Sequence, residues 1–308
     1  MIWVGAVSVL ALLIAFPYLR EALRPPMDDA ARQDAPGAFL QLSQGVTHYR
    51  WIGPTRGPVA VCVHGLTTPS AVWEAVARGL ADQGFRVLVY DLYGRGYSDR
   101  PRGAQDQAFF LRQLDDLLAA QEIGGDITLL GYSMGGAIVT AFAAREPERV
   151  RRVILLAPAG MGHDPGRLAR LIRDLPGLGD WLMLLRFPAL HRKSTEAERA
   201  LPFGVEGIID YQQAELGRRG FVPAVLSSLR GILSQRLEEA HRRISREDIP
   251  VLAIWGREDV VIPITAMGVL AQWNRIARHE VIAGAGHGLT YTHASAVVAA
   301  IEAELAGD

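Results

Sequence analysis

From Ile2 to Leu19 the chain carries no charged side chain and is mostly Val, Ala, Leu and Ile. After this segment apolar residues come in short runs: Val59–Val63, Arg86–Tyr90, Ile127–Leu130, Val153–Ala157, Val251–Trp255 and His279–Ala283. These runs end in glycine or polar residues, and most are continuous rather than alternating, the pattern of parallel strands covered on both faces. Ala137–Phe142 and Ala294–Leu305 read as helices. Strands separated by helices predict an α/β fold around a mostly parallel sheet.

About ninety residues separate the run at Val153 from the one at Val251, and this stretch reads as helical from Gly162 to roughly Asp248. Leu168, Leu171, Ile172 and Leu175 form an apolar stripe at helical spacing, with Arg167, Arg170 and Arg173 elsewhere around the helix. Asp180–Phe187 is apolar nearly all round. A helical cap is expected, its Leu, Met, Phe and Trp residues lining an acyl pocket and packing onto the core. The arginine-bearing helix offers a further contact, with anionic lipid headgroups.

The densest chemical signal follows Ile127–Leu130: Gly131-Tyr132-Ser133-Met134-Gly135-Gly136, a strand running through a tight turn into a helix. The turn exposes the Ser133 hydroxyl, and the helix N-terminus beneath it favours developing negative charge. Upstream, Val59–Val63 opens into His64-Gly65-Leu66-Thr67, and Arg86–Tyr90 into Asp91-Leu92-Tyr93-Gly94-Arg95-Gly96. Downstream, Val251–Trp255 leads to Gly256-Arg257-Glu258-Asp259, and His279–Ala283 to Gly284-Ala285-Gly286-His287-Gly288. A histidine between glycines has little to pack against and suits proton transfer, with Asp259 fixing its tautomer. Asp91, Asp164 and Glu258 are the other acids near strand ends, and His293 the other histidine close by.

These motifs, in this order, resemble the α/β-hydrolase family over nearly everything from Phe39 onward. The resemblance implies a Ser133–His287–Asp259 triad and an oxyanion hole built from the Leu66 and Met134 amides. The sequence looks most like the monoacylglycerol lipase and membrane-anchored esterase or phospholipase branches. A serine at the elbow argues against the dehalogenase and epoxide hydrolase relatives, which place aspartate there. The implied function is hydrolysis of acyl-lipid esters such as monoacylglycerols, lysophospholipids or phospholipids. Small-molecule ester hydrolysis, carbon–carbon bond hydrolysis, and ligand binding without turnover are the rival readings.

With 32 basic and 33 acidic residues among 308, the charge balance gives no argument for a nucleic-acid partner. The single cysteine, Cys62, lies inside an apolar run and reads as core, with no intrachain disulfide possible. No metal-ligand cluster or phosphate loop stands out, and no cofactor is expected.

As a helix, residues 2–19 would span roughly 27 Å, close to the ~30 Å hydrocarbon thickness of a bilayer. Trp3 and Tyr18 sit near its ends, where interfacial aromatics belong. No charged segment precedes the run and no small-x-small site directly follows it, so an uncleaved membrane anchor is expected rather than a signal peptide. The implied location is a bacterial inner membrane. Arg20 and Arg24 place the following domain on the cytoplasmic side, whereas the resemblance implies the periplasmic side. A homodimer through this helix is left open, although Gly5 is its only glycine. The expected organisation is an anchor at 1–20, a linker at 21–37, the hydrolase core at 38–160 and 249–308, and the cap at 161–248.

Overall fold

A computed structural model describes residues 2–162 and 166–307. Asp164, one of the alternative acids, lies outside the described residues. Eight strands form one sheet: β1 (Ala38–Leu42), β2 (Gly45–Ile52), β3 (Val59–Val63), β4 (Arg86–Tyr90), β5 (Ile127–Tyr132), β6 (Val150–Leu156), β7 (Val251–Gly256) and β8 (Arg278–Ile282). Their spatial order is β1-β2-β4-β3-β5-β6-β7-β8. From β4 to β8 all neighbours run parallel, while β1 and β2 form an antiparallel hairpin at one edge.

The described helices are α1 (Ile2–Ala22), α2 (Asp29–Arg32), α3 (Glu74–Asp82), α4 (Gln107–Ala120), α5 (Met134–Arg145), α6 (Arg167–Asp174), α7 (Leu178–Glu198), α8 (Ile208–Glu215), α9 (Phe221–Arg230), α10 (Glu238–Arg246), α11 (Thr265–Trp273), α12 (Leu289–Thr292) and α13 (Ala294–Leu305). Both faces of the sheet are covered, which explains the continuous apolar runs. Val61 and Val63 join the core formed with α4, α5, α10 and α11, while Ala60 and Cys62 face that of α3, α12 and α13. The Cys62 thiol is fully buried, and burial pushes its pKa up.

From β3 the chain crosses to β4 on one side, then returns past β3 to β5. Connections leaving in opposite directions open a crevice at the carboxyl ends of β3 and β5, the usual ligand position in such sheets. The turns holding His64-Gly65-Leu66 and Ser133 both begin there.

The helices between β6 and β7 divide into two groups. Ile172, Met183, Leu184, Leu216, Phe221, Val222, Val225 and Leu226 form a separate apolar cluster holding α6, α7, α8 and α9 together, and Leu66 packs against it. Helix α10 instead packs on α5 and α11 as part of the sheet's own covering layer, with Ile244 in that core. The covering helices are therefore α6–α9, a shorter stretch than residues 161–248. In the α6 stripe only Ile172 is buried; Leu168 and Leu175 are 48% and 46% exposed.

Helix α1 is exposed along nearly its whole length, and its far end is fastened to the covering helices. Tyr18 donates to the Gly177 carbonyl (3.3 Å), the Glu21 carboxylate accepts from the Gly220 amide (2.6 Å), and the Arg219 amide donates to Pro25 (2.9 Å). Further on, Arg32 pairs with Asp99 (2.5 Å), and the Pro36 carbonyl accepts from His48 Nε2 (2.5 Å). Residues 21–37, read as a linker, are thus tied down by polar contacts to both α9 and the sheet.

Candidate active site

Ser133 sits between β5 and α5 with φ 53°, in the left-handed region that a non-glycine residue adopts only under constraint. Its neighbours supply that constraint. A Cβ at Gly135 would run into the Val63 and His64 carbonyls, and one at Gly131 into the Gly135 carbonyl and Val139. Only glycines let the turn sit this close to the end of β3.

The Ser133 hydroxyl lies 3.0 Å from His287 Nε2, and His287 Nδ1 lies 2.8 Å from Asp259 Oδ2. The other Asp259 oxygen accepts from the Val261 and Ile262 amides, both at 2.8 Å. An ionised carboxylate only accepts hydrogen bonds, so His287 carries its proton on Nδ1 and leaves the Nε2 lone pair for the serine hydroxyl. Tyr132 backs the imidazole, with ring centroids 5.3 Å apart. Glu258 faces solvent and His293 begins α13, so neither joins this array.

The Leu66 and Met134 amides donate to no acceptor among the described residues. Sequence reasoning assigned nothing specific to His64, yet this side chain orients the first of these amides. It is fully buried, and burial lowers its pKa to about 4, so the ring is neutral. Its Nδ1–H donates to the Gly65 carbonyl (2.8 Å), and its Nε2 accepts from the Leu92 amide (2.8 Å). Fixing the Gly65 carbonyl fixes the Leu66 N–H, which points the opposite way across the same planar peptide. Arg95, also fully buried, donates to the Leu66 carbonyl (2.9 Å) and to Ser228 on α9 (2.8 Å), linking this loop to the covering helices.

Ser133 and His287 open onto a cavity of about 300 Å³ beneath α7 and α8. A larger cavity of about 770 Å³ lies between the end of α1 and α9, and Ser133 does not line it. Among the described residues, no cluster of His, Cys, Asp or Glu is arranged to hold a metal.

Residues 58–294 match the family model for the alpha/beta hydrolase fold. The chain belongs to the α/β-hydrolase family. It is 31% identical over 255 residues to 2-hydroxymuconate semialdehyde hydrolase of Pseudomonas sp. (strain CF600), covering 76% of this chain and 81% of that one. To the pimeloyl-[acyl-carrier protein] methyl ester esterase of Nitrosomonas europaea it is 30% identical over 240 residues, 75% and 89% of the two chains. Among solved structures, a membrane phospholipase A described as a bacterial virulence factor superposes with a TM-score of 0.73 at 21% identity, over 99% of this chain and 98% of that one. That likeness in fold runs the length of this α/β-hydrolase, α1 included.

Asp91, weighed as an alternative acid, sits elsewhere in the hydrolase and is wholly occupied. It accepts from His48 Nδ1 (2.7 Å), the Ser70 amide (2.7 Å) and the Tyr97 amide (2.9 Å). Burial alone would raise its pKa, but the bond to and charge of His48, with the amides, hold it well below the ordinary 3.8. For His48, burial works downward and is outweighed by Asp91, so its pKa stands above 6.5. Asp91 therefore contributes stability above its ordinary value, lost as pH falls through the depressed one. His48 contributes below its ordinary value, and loses this as pH rises through the raised one. The pair is fully effective between about pH 4 and 6.5. Asp91→Asn is expected to cost about 3 kcal/mol in that window, because it leaves a buried partner unpaired. Thermal melts of the two proteins from pH 3 to 9 check this; equal melting temperatures at pH 5–6 would contradict it.

Proposed function

We propose that this α/β-hydrolase cleaves carboxylic esters through an acyl-enzyme on Ser133, acting on acyl lipids at a membrane that α1 enters. The observation that carries the reading is the Ser133–His287–Asp259 array beside two uncommitted amides. His287 Nε2 takes the Ser133 proton as Oγ attacks the ester carbonyl. The carbonyl oxygen becomes an oxyanion between the Leu66 and Met134 N–H groups, at the N-terminus of α5, where negative charge is favoured. The imidazolium, stabilised by Asp259, then protonates the departing alcohol. A water deprotonated by His287 attacks the acyl-enzyme and releases the carboxylic acid, restoring the serine hydroxyl.

Three features support a lipid substrate. Helix α1 is long and apolar enough to cross a bilayer. Its end is tied at Tyr18 to the α6–α7 turn, and that region exposes Leu168, Leu175 and Leu178 beside Arg167, the composition of a surface that rests on lipid headgroups. The cavity wall near Ser133 includes Leu66, Leu229, Leu233, Val261 and Ile262, suited to an acyl chain. Identity to a 2-hydroxymuconate semialdehyde hydrolase favours a second reading, hydrolysis of a carbon–carbon bond through the same serine.

Hydrolysis of p-nitrophenyl esters from acetate to palmitate by the detergent-solubilised chain separates the two. The lipid reading expects kcat/KM to peak at medium or long acyl chains. Turnover confined to the shortest esters would contradict it, and no ester turnover would favour the carbon–carbon reading.

A further inference from the structure

The cavity beside Ser133 has walls of two kinds. Besides the apolar side chains that suit an acyl chain, its lining includes His191 and Glu198 from α7, Gln212 from α8, and Tyr291 from α12. His191 and Glu198 are seven residues apart, two helical turns, and so share one face of α7. Tyr291 donates to the Glu198 carboxylate (2.7 Å), and Gln212 lies beside the same tyrosine hydroxyl. His191 stacks on Phe187 with ring centroids 5.3 Å apart.

Two atoms in this wall are unsatisfied. His191 Nε2 and Gln212 Nε2 are withdrawn from water without a hydrogen-bond partner of normal geometry among the described residues. The two side chains are 7% and 3% exposed, so solvent does not stand in. Burial lowers the His191 pKa to about 4, and the Gln212 backbone interacts with its ring. The ring is therefore neutral, with one nitrogen a donor and the other an acceptor. Gln212 Nε2 is a donor. Both residues line the same cavity, and a hydroxyl group, which can accept and donate, pairs with the Gln212 donor and with His191 Nε2 in either tautomer. Among the described residues no lysine or arginine lines this cavity, and Glu198 brings a carboxylate to it, so a phosphate would enter against like charge.

We propose that His191, Gln212 and the Glu198–Tyr291 pair form a subsite that reads free hydroxyls on the alcohol part of the ester, selecting neutral polyol esters of the glycerol type. The proposal rests on the ester-hydrolase reading above and narrows it. The acyl chain lies along Leu229, Leu233, Val261 and Ile262, and the alcohol lies under α7 and α8. Simple alkyl esters leave the subsite unsatisfied, and phosphate-bearing esters meet Glu198.

The test is kcat/KM for three octanoate esters, 1-octanoylglycerol, propyl octanoate and 1-octanoylglycerol 3-phosphate, with wild type, His191→Phe, Gln212→Leu and Ser133→Ala. Wild type is expected to prefer the glycerol ester over the propyl ester by about a hundredfold, because a site built to hydrogen-bond a hydroxyl discriminates strongly against its absence. The phosphate ester is expected to be cleaved more slowly than the neutral glycerol ester. In His191→Phe and Gln212→Leu the glycerol-to-propyl ratio should fall at least tenfold. A ratio does not depend on the fraction of enzyme that folds, so a poorly folding variant still reports. Equal rates on all three esters through Ser133, an unchanged ratio in both variants, or preference for the phosphate ester would overturn the subsite while leaving the hydrolase reading intact. Turnover that survives Ser133→Ala, or none by wild type, would instead overturn the hydrolase reading beneath it.

Discussion

Ser133→Ala is expected to lower kcat on a p-nitrophenyl ester about 100,000-fold while leaving the fold in place. Both halves of that expectation come from the geometry. The strained φ at position 133 is imposed by packing of the turn against β3, and alanine carries the same Cβ as serine, so the backbone strain is unchanged. The serine hydroxyl makes one described hydrogen bond, to His287, so its loss frees a partly exposed imidazole and orphans no buried group. What remains is the proposed oxyanion site at the Leu66 and Met134 amides, with no nucleophile to attack a bound ester. Circular dichroism and melting should match wild type. A variant retaining a tenth of the activity would place the nucleophile elsewhere.

Asp259→Asn should reduce kcat about 10,000-fold, again with little loss of structure. Asparagine can keep its Oδ1 on the Val261 and Ile262 amides, as Asp259 does. Its NH₂ then faces His287 Nδ1 and, by donating, drives the ring proton to Nε2. That tautomer has no lone pair for the Ser133 hydroxyl and nothing to stabilise an imidazolium. Asp91→Asn makes the contrast, since Asp91 serves the fold by holding His48, Ser70 and Tyr97, and its loss should show in the melting temperature rather than in kcat. If Asp91→Asn were the variant that lost turnover and Asp259→Asn the one that melted early, the assignment of the acid would be reversed.

How much of this was legible beforehand follows from where the information lies. The parallel strands announced themselves because β3, β5, β6 and β7 are covered on both faces and read as unbroken apolar runs. The β1–β2 hairpin did not, because it is an edge whose residues, Gln41, His48 and Arg50 among them, alternate between core, partners and solvent. Ser133, Asp259 and His287 stood out as candidates because each follows a strand in a short glycine-bearing motif. Reading helices between β6 and β7 was sound, yet the period of α10 does not say which surface it will cover. It covers α5. The buried network was invisible for a similar reason. His64 meets Leu92, His48 meets Asp91 and Arg95 meets Ser228 across 28, 43 and 133 residues of sequence, and no local spacing records such a meeting. His191 and Gln212 likewise look like ordinary polar helix positions until the covering helices fold over the cavity.

The most direct test of the account is the mass of the intact protein after exposure to a fluorophosphonate that forms a stable ester with activated serines. One adduct, mapped by peptide sequencing to Ser133, lost in Ser133→Ala and slowed in Asp259→Asn, is the result predicted. Labelling on another residue, or none on a folded protein, would contradict it.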